Sequence, residues 1–306
     1  MKRLLILSDG KAGHENQSKA FARMLGFGFD VANVAFRSPL AKAASYLADR
    51  LAVDSLSLLR VPQIAAGEYR AVVGTGSGTF YAAKTLAKKL GVPCAVVLYP
   101  RGYRLSNFGC VMAPAFDRPP RLANIIRIPA NIVAADAEFY ERGVAEFRAR
   151  HDVDGRKAVA VVIGGPNKCA TMTPEWTRRE LERVFSANPG CAFWATTSRR
   201  TPADVEAVVD SFPWDYKLIY SRDRFNPIPA FVALASRMYV TADSTGMLSE
   251  ACTCGEAEVF ALDNLKPGRH KFRRFADGLA AEGCLGGRKK IDMGPKIAAA
   301  KKLLGL

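Results

Sequence analysis

AVAVVIGGPNK, residues 158–168, restarts an alternation of strands and helices halfway along a chain of 306 residues. The six apolar residues 158–163 have the length and composition of a buried strand, and the two glycines that follow allow a tight turn. Thr173, Pro174 and Glu175 then supply the cap, the first position and the first-turn acid of a helix. A buried strand that runs into a helix is the repeating unit of a parallel sheet.

The same alternation is present on both sides of this stretch. Apolar runs predict strands at residues 4–7, 71–73, 94–98, 109–112 and 124–128, and again at 191–195, 217–220, 238–240 and 258–262. Helical patterns in the first half lie at residues 16–25, 79–90 and 139–150. Because the polar residues 151–156 are typical of a linker, we predict an α/β fold of two facing Rossmann-like domains with a cleft between them. The first is expected to span residues 1–150, with the C-terminal helix 292–306 packed back on it, and the second to span 157–285.

The composition indicates a globular protein with an anionic partner. Hydrophobic residues make up 49% of the chain and charged residues 24%, while the formal net charge is +15. A phosphorylated substrate, an anionic membrane and a nucleic acid all fit that charge. The basic residues are dispersed and no nucleic-acid-binding motif is recognisable, so we expect no nucleic-acid partner.

The N-terminus and the cysteines indicate in which cellular compartment the protein is expected. The apolar run 4–7 is shorter than the about 7–15 residues of a signal-peptide core, and no stretch approaches the about 20 apolar residues of a membrane span. The seven cysteines are scattered and odd in number, which argues against a disulfide framework and against a zinc site. The expected location is the cytoplasm, with peripheral attachment to the inner membrane left open.

VTADSTGMLSEA, residues 240–251, is unusually polar where a core strand meets a helix. Asp243, Ser244 or Thr245 would cap that helix, and Gly246 allows a ligand to approach the backbone. Phosphate is the group most favoured at a helix N-terminus. Glu250 lies on the same helix face as Gly246 and would accept hydrogen bonds from ribose hydroxyls. A plain helix cap is the alternative interpretation.

A glycine turn with a lysine follows the strand at 158–163. Gly164 and Gly165 make a small-residue turn, and Lys168 would reach a phosphate oxygen. The sequence is not that of a P-loop, and many turns between a strand and a helix contain glycine. An ordinary turn is therefore the alternative.

Paired arginines occur at the end of another predicted strand. Ser198, Arg199 and Arg200 follow the strand at 191–195, and arginine suits bidentate contacts with phosphate or carboxylate. The alternative is a solvated basic turn in which Thr201 caps the next helix, with Pro202 at its first position.

SDGKAGHENQ, residues 8–17, follows the first strand of the chain. The loop delivers Asp9, His14 and Glu15 to the predicted cleft, where a histidine or a carboxylate would accept the proton of an attacking hydroxyl. An ordinary helix start is the alternative. A second glycine-rich turn, residues 74–79, lacks the third glycine of a dinucleotide fingerprint, so we predict no nicotinamide site.

These motifs together resemble the family named for a plant mitochondrial-fission factor, elongated mitochondria, whose bacterial members are similar to glycosyltransferases. The resemblance is carried by SDGKAGHENQ near the start, VVIGGPNK at mid-chain, TTSRRTP, and NPIPAFVALASRMYVTADSTGMLSEACTCG. It implies the GT-B fold, with the acceptor site in the first domain and the donor site in the second. It also implies a cytoplasmic transferase that needs no metal and uses a nucleotide-activated sugar.

The function that we predict is transfer of a sugar from a nucleotide-sugar donor to a hydroxyl of a cell-envelope or other acceptor, which would be lipid-linked if the protein attaches to the membrane. The nucleotide sugar is a substrate, so no cofactor is expected. Lysine and arginine would neutralise the leaving diphosphate, and the sequence offers no pair of acids typical of a metal site. The alternatives are a sugar-nucleotide epimerase and a non-catalytic membrane-associated scaffold of the same fold.

Two segments mix basic and apolar residues, as helices at a membrane interface do. They are 271–275, KFRRF, and the C-terminal residues 296–306. The alternative is that both are ordinary surface helices whose apolar faces pack on their own domains. Attachment to an anionic membrane surface is thus an expectation that depends on where these apolar faces lie.

Overall fold

The computed structural model describes residues 3–64, 69–133 and 137–306. The chain divides into two compact units, one of residues 1–134 with 292–306 and the other of residues 135–291. Each unit is built around its own sheet.

The first unit contains a six-stranded parallel sheet in the order β2-β1-β5-β6-β7-β8. Its elements are β1 (Arg3–Ser8), α1 (Ala12–Met24), β2 (Gly28–Asn33), β3 (Ala35–Phe36), α2 (Pro39–Arg50), β4 (Leu59–Arg60), β5 (Tyr69–Thr75), α3 (Phe80–Leu90), β6 (Cys94–Val97), β7 (Cys110–Pro114), β8 (Ile125–Ile128) and α10 (Gly294–Leu304). Strands β6 and β7 are buried along their whole length, which is why they appear in the sequence as continuous apolar runs. Strands β3 and β4 form a separate antiparallel pair.

The second unit contains a five-stranded parallel sheet in the order β11-β10-β9-β12-β13. Its elements are α4 (Ala137–Arg148), β9 (Ala158–Val162), α5 (Pro174–Ser186), β10 (Ala192–Thr196), α6 (Ala203–Asp210), β11 (Tyr216–Leu218), α7 (Ile228–Leu234), β12 (Arg237–Thr241), α8 (Thr245–Thr253), β13 (Glu258–Leu262) and α9 (Lys271–Ala281). As the sequence predicts, Thr173 caps α5, because its hydroxyl accepts the Trp176 N–H at 3.2 Å. The predicted α/β class with parallel sheets is confirmed.

The boundary between the units differs from the predicted one. Helix α4 belongs to the second unit rather than to the first, and it packs on α7. Its Phe147 is fully buried, with its ring 5.0 Å from that of Trp194 and 5.8 Å from that of Phe231. The polar residues 151–156 are therefore a loop within the second unit, because the apolar face of the preceding helix, α4, is buried in the core of that unit.

The two basic and apolar segments have their apolar faces buried. In α9, Phe275 and Leu279 are buried in the second unit. In α10, Ile297, Ala300 and Leu304 are buried, and the helix packs on β7 and β8. Both segments thus follow the ordinary alternative, that of helices packed on their own units. No helix in residues 3–64, 69–133 or 137–306 has the length and apolar character needed to cross a bilayer.

A buried ion network joins α2 and α3 of the first unit. The Lys84 ammonium lies 3.1 Å from Asp49 Oδ1 and 2.6 Å from Asp54 Oδ1, and its side chain is only 3% exposed. Asp49 also accepts hydrogen bonds from the Arg104 N–H and the Asn107 amide. Burial alone would raise the pKa of Asp54, but hydrogen bonds from Lys84 and Lys88 outweigh it and lower that pKa.

We expect the variant Lys84→Met to lose about 3 kcal/mol in free energy of unfolding, because Asp49 remains buried without its cation. The matched variant Lys88→Met, one turn further along α3 and 71% exposed, should lose less than about 1 kcal/mol. Since the pKa of Asp54 is lowered in the folded state, its contribution is present above about pH 4 and is lost as the pH falls. Urea unfolding at neutral and acidic pH measures both effects; equal losses for the two variants would contradict the assignment.

Candidate functional site

The loops after three central strands of the second unit meet at the carboxyl edge of its sheet. Strand β9 pairs with β10 on one side and with β12 on the other. Because all three run parallel, their carboxyl ends lie at one edge, where open α/β sheets bind ligands. The three polar motifs of the second half follow these strands, so the fold brings them together.

Asp243 lies at the centre of this loop cluster. Its Oδ2 accepts hydrogen bonds from the Gly165 N–H at 3.2 Å and from the Arg200 guanidinium at 2.6 Å. Its Oδ1 accepts from the Asn264 amide at 3.0 Å, and its side chain has no solvent exposure. The Gly164 N–H donates to the Thr241 hydroxyl at 2.8 Å.

Two glycines allow the β9 loop to lie this close to its neighbours. A Cβ on Gly164 would be 2.6 Å from the Asp243 carboxylate, and one on Gly165 would be 2.2 Å from the Arg200 carbonyl oxygen. The Ser198 hydroxyl donates to the Gly164 carbonyl at 2.9 Å and ties the β10 loop to the same turn. The glycines are thus required by loop packing.

Five of the residues predicted to bind the ligand contact one another in the structure. Gly164, Gly165, Ser198, Arg200 and Asp243 were expected to bind the ligand, but their polar groups bind one another. The reason is that a carboxylate without solvent exposure must be paired, and the nearest cation and amides satisfy it. These residues are braces that fix the loops.

The alternative interpretation of the arginine turn, in which Thr201 caps α6, does not match the structure. The N-cap position is Pro202, and its side chain makes no capping hydrogen bond. The Thr201 hydroxyl instead donates to the Gly164 carbonyl and accepts the Ser198 N–H at 2.8 Å. It is a further brace between the β9 and β10 loops.

We expect Asp243→Ala to lower the free energy of unfolding by about 3 kcal/mol, because Arg200, Asn264 and the Gly165 amide all lose their acceptor. Asp263→Ala is the matched control, since Asp263 is 57% exposed and pairs with Arg273 at the surface of the same unit. It should cost less than about 1 kcal/mol. Chemical denaturation of both variants gives the comparison, and equal values would show that Asp243 is not a brace.

The N-terminus of α8 has no side-chain cap. Ser244 is the N-cap residue, yet no side chain accepts a hydrogen bond from the first turn. Gly246 is exposed, and a Cβ placed on it would meet no atom within 4 Å. Because Asp243 binds Arg200 and Asn264, the first-turn amides and the positive end of the helix dipole remain available to an anion.

Two cations lie on the loops that surround this turn. Lys168 and Arg199 are exposed, and neither forms an ion pair within residues 3–64, 69–133 and 137–306. Lys168 lies three residues after Gly165, and Arg199 lies directly before Arg200. Gly165 and Arg200 both contact Asp243. Of the predicted phosphate ligands, Lys168, Arg199, Ser244, Thr245 and Gly246 are therefore the ones that the braces do not use.

Glu250 contacts a residue that the sequence analysis did not identify. The Tyr140 hydroxyl of α4 donates to Glu250 Oε1 at 3.1 Å. Burial raises the pKa of Glu250, and the hydrogen bond from Tyr140 opposes this only in part. Glu250 is one helical turn from Gly246, so a ligand at the start of α8 would come within reach of this carboxyl group.

In the first unit, the loop after β1 brings Asp9 and His14 together. His14 Nδ1 lies 3.0 Å from Asp9 Oδ2 and 3.1 Å from Oδ1. A hydrogen bond to an ionised carboxylate requires the proton on Nδ1, and in that tautomer of the neutral ring Nε2 carries the lone pair. The Asp9 side chain is 8% exposed and that of His14 is 24% exposed, so the ring remains accessible.

The glycine-rich turn after β5 makes room for this pair. A Cβ on Gly76 would be 2.3 Å from the His14 ring, and one on Gly78 would be 2.6 Å from the Asp9 carboxylate. Gly76 also has a φ of +82°, which favours glycine. The sequence analysis only excluded a nicotinamide site here, because it gave no indication that the turn packs on His14.

Glu15 pairs with a lysine, whereas His14 pairs with a carboxylate. Its carboxylate lies 2.6 Å from the Lys19 ammonium and accepts the Ser8 hydroxyl at 2.6 Å. Hydrogen bonds from Lys19 and then Ser8 lower the pKa of Glu15, which makes it a weaker base. Of the three predicted catalytic residues, His14 has the geometry of a base and Asp9 that of the group that orients it.

A known protein family matches most of this chain. The model of the mitochondrial fission ELM1 family matches residues 12–288, which include His14 and the Asp243 cluster. The chain belongs to the mitochondrial fission ELM1 family. The family resemblance predicted from the motifs is thereby confirmed. No curated protein matches this ELM1-family chain significantly.

Solved structures share the fold of this ELM1-family chain along its whole length. UDP-GlcNAc 2-epimerase from Methanocaldococcus jannaschii has a TM-score of 0.54 and 15% identity, with 99% of this chain and 98% of that chain covered. The Neisseria meningitidis enzyme bound to UDP-GlcNAc has a TM-score of 0.51 and 12% identity, with 100% and 98% covered. S. aureus MnaA in its UDP co-structure has a TM-score of 0.51 and 11% identity, with 99% and 95% covered. At such identities the likeness shows the GT-B-type α/β fold alone.

Proposed function

We propose that this protein transfers a sugar from a nucleotide-activated donor to an acceptor hydroxyl. The observation that carries the proposal is the uncapped N-terminus of α8, which lies at the carboxyl edge of a parallel sheet between braced loops. It is supported by the fold, which is shared with proteins whose structures contain UDP or UDP-GlcNAc.

The donor diphosphate binds the first turn of α8 in this proposal. The amides of Thr245, Gly246 and Met247 have no acceptor within their own helix, and they point along a dipole that favours negative charge. Gly246 lets phosphate oxygens approach because it has no side chain. Lys168 and Arg199 supply positive charge where the leaving nucleoside diphosphate develops negative charge. With this charge in place, we propose that transfer needs no metal ion.

Glu250 accepts hydrogen bonds from the ribose in the same proposal. Tyr140 holds one carboxylate oxygen at 3.1 Å, which fixes the rotamer of Glu250 and leaves the other oxygen for a ligand hydroxyl. Tyr140 is thus a positioning residue.

His14 acts as the general base. Asp9 holds Nδ1 in its protonated form, so Nε2 accepts the proton of the acceptor hydroxyl as that oxygen attacks the anomeric carbon. The bond from that carbon to the diphosphate oxygen breaks, and the nucleoside diphosphate leaves with its charge balanced by Lys168 and Arg199. Asp9 stabilises the imidazolium that forms on His14.

A second candidate function is epimerisation of a nucleotide sugar. It is favoured by a specific observation, namely that the structural neighbours with a TM-score above 0.5 described above include two named UDP-GlcNAc 2-epimerases. An epimerase uses the same donor pocket but needs no acceptor. The His14–Asp9 pair would then remove a proton from the sugar ring.

Two experiments separate these functions. A thermal-shift screen with nucleoside mono- and diphosphates identifies the base, because a ligand that binds only the folded state raises its melting temperature. The matching nucleotide sugar is then incubated with the protein, with and without a lipid or sugar acceptor fraction. A product only when acceptor is present supports the transferase, and a converted donor in its absence supports the epimerase. No nucleotide binding at all supports a non-catalytic scaffold and contradicts both.

A further inference from the structure

Helix α2 of the first unit buries two polar residues, and leucines at its outer side are exposed. Ser45 and Asp49 have no solvent exposure, whereas Leu40 is 80%, Leu47 60% and Leu51 66% exposed. A surface helix of a globular protein normally shows the opposite distribution. The apolar residues of α2 are therefore available to something outside the fold.

The exposed apolar residues share one side of the helix. Leu40, Ala44, Leu47 and Leu51 are spaced by four, three and four residues, which aligns them along a single stripe, and Ala43 adjoins it. All five are exposed. We call this set, Leu40, Ala43, Ala44, Leu47 and Leu51, the leucine face.

Polar contacts fix the orientation of α2. Asp49 pairs with the buried Lys84 at 3.1 Å and accepts the Arg104 N–H at 2.6 Å, while the Ser45 hydroxyl lies 2.8 Å from that of Tyr103. Rotating the helix to bury its leucines would break these contacts and separate Asp49 from Lys84, which is costly for a buried ion pair. The outward position of the leucine face is thus built into the unit.

The charges around the leucine face are positive. The two acids within residues 37–54 are Asp49 and Asp54, and Lys84 pairs with both. Arg37 and Arg50 are exposed, and neither forms an ion pair among the described residues 3–64, 69–133 and 137–306. Arg50 lies beside the leucine face on the same helix. The surface therefore combines exposed leucines with uncompensated positive charge.

We propose that the leucine face docks the protein on an anionic lipid bilayer. An interfacial helix places its leucines at the level of the acyl-chain boundary, while arginines at its margin contact anionic headgroups. Helix α2 has 12 residues and therefore lies in the plane of the interface rather than across the bilayer. The net charge of +15 adds a long-range attraction to the same surface. This inference is independent of the proposed function.

The test is co-sedimentation of the full chain with two kinds of vesicle, phosphatidylcholine alone and phosphatidylcholine with phosphatidylglycerol, at low and high salt. The wild type should bind the anionic vesicles, and high salt should weaken that binding. Leu47→Glu should lower the vesicle-bound to free ratio by at least about tenfold, because it removes apolar contact and adds repulsion. Leu122→Glu is the matched control, since Leu122 is 47% exposed in the same unit but outside the leucine face, and it should bind as the wild type does.

Circular dichroism melts establish that both variants are folded, which is expected because both side chains are exposed. The proposal is overturned if the wild type stays in the supernatant with anionic vesicles at low salt. It is also overturned if Leu47→Glu binds as tightly as the wild type. A wild-type dimer in light scattering that Leu47→Glu dissociates would show that a second copy of the chain covers the leucine face instead.

Discussion

His14→Ala should lower kcat by about 10²–10⁴-fold, because it removes the proposed general base. Asp9→Asn should lower kcat by about 10²-fold, because an amide no longer holds Nδ1 in its protonated form. The donor used is the nucleotide sugar that the ligand screen identifies. Added imidazole should restore part of the rate to His14→Ala, a result that a merely structural histidine would not give.

Glu15→Gln is the matched comparison for His14→Ala, since both residues lie in the same loop and both are candidate bases. Because Lys19 and Ser8 already engage the Glu15 carboxylate, we expect kcat to change by less than about threefold. A large loss in Glu15→Gln together with normal turnover in His14→Ala would exchange the two roles. Normal turnover in both variants would remove the loop from the chemistry.

Gly246→Asp should weaken binding of UDP, the probe suggested by the structural neighbours, by at least about tenfold. The new carboxylate would lie in the first turn of α8, where it would occupy the space proposed for the diphosphate and repel it. The same carboxylate favours the helix dipole, so the protein without nucleotide should be as stable as the wild type or more stable by up to about 1 kcal/mol. Affinity and stability are thus expected to change in opposite directions.

Gly278→Asp is the control for charge. Gly278 lies in α9 of the same unit, and a Cβ there also meets no atom within 4 Å. It changes the net charge by the same amount, and calorimetric titration should give the wild-type affinity for UDP. If Gly278→Asp weakened UDP binding as much as Gly246→Asp does, a general electrostatic effect would replace the local site at α8.

Most strands of both sheets were predictable from the sequence, but strand β2 and the boundary between the two units were not. Strands β6 (Cys94–Val97) and β9 (Ala158–Val162) are buried along their whole length, so composition alone indicates strands. Strand β2 is largely exposed, and its sequence GFDVAN has no apolar run to predict it. Helix α4 was assigned to the wrong unit because a polar loop follows it, whereas its partner α7 lies about 80 residues further along the chain.

The clustering of the polar motifs at one sheet edge was predictable, but the pairings among their residues were not. Every polar motif follows a strand of a parallel sheet, so its place at the carboxyl edge follows from the strand prediction. Which polar groups face a ligand depends on pairings between residues such as Asp243 and Arg200, which are 43 positions apart. A sequence gives residue types and spacing, and neither specifies which of several nearby donors a buried carboxylate binds. For the same reason Thr241, Asn264 and Tyr140 were missed.

The outward leucines of α2 show a different limit of sequence analysis. An apolar stripe at helical spacing normally predicts a face packed in the core. The stripe in α2 faces solvent because Asp49 meets Lys84 on the opposite side of the helix. Only the position of Lys84 on α3 reveals this, and that position depends on tertiary structure.

A crystal structure of the protein with UDP tests the proposed diphosphate site at the N-terminus of α8. We expect diphosphate oxygens about 3 Å from the backbone nitrogens of Thr245 and Gly246, with Lys168 or Arg199 turned toward them. The pair of Arg200 with Asp243 should be unchanged. A diphosphate bound elsewhere, or one that displaces Asp243 from Arg200 to reach the turn, would contradict the proposed site.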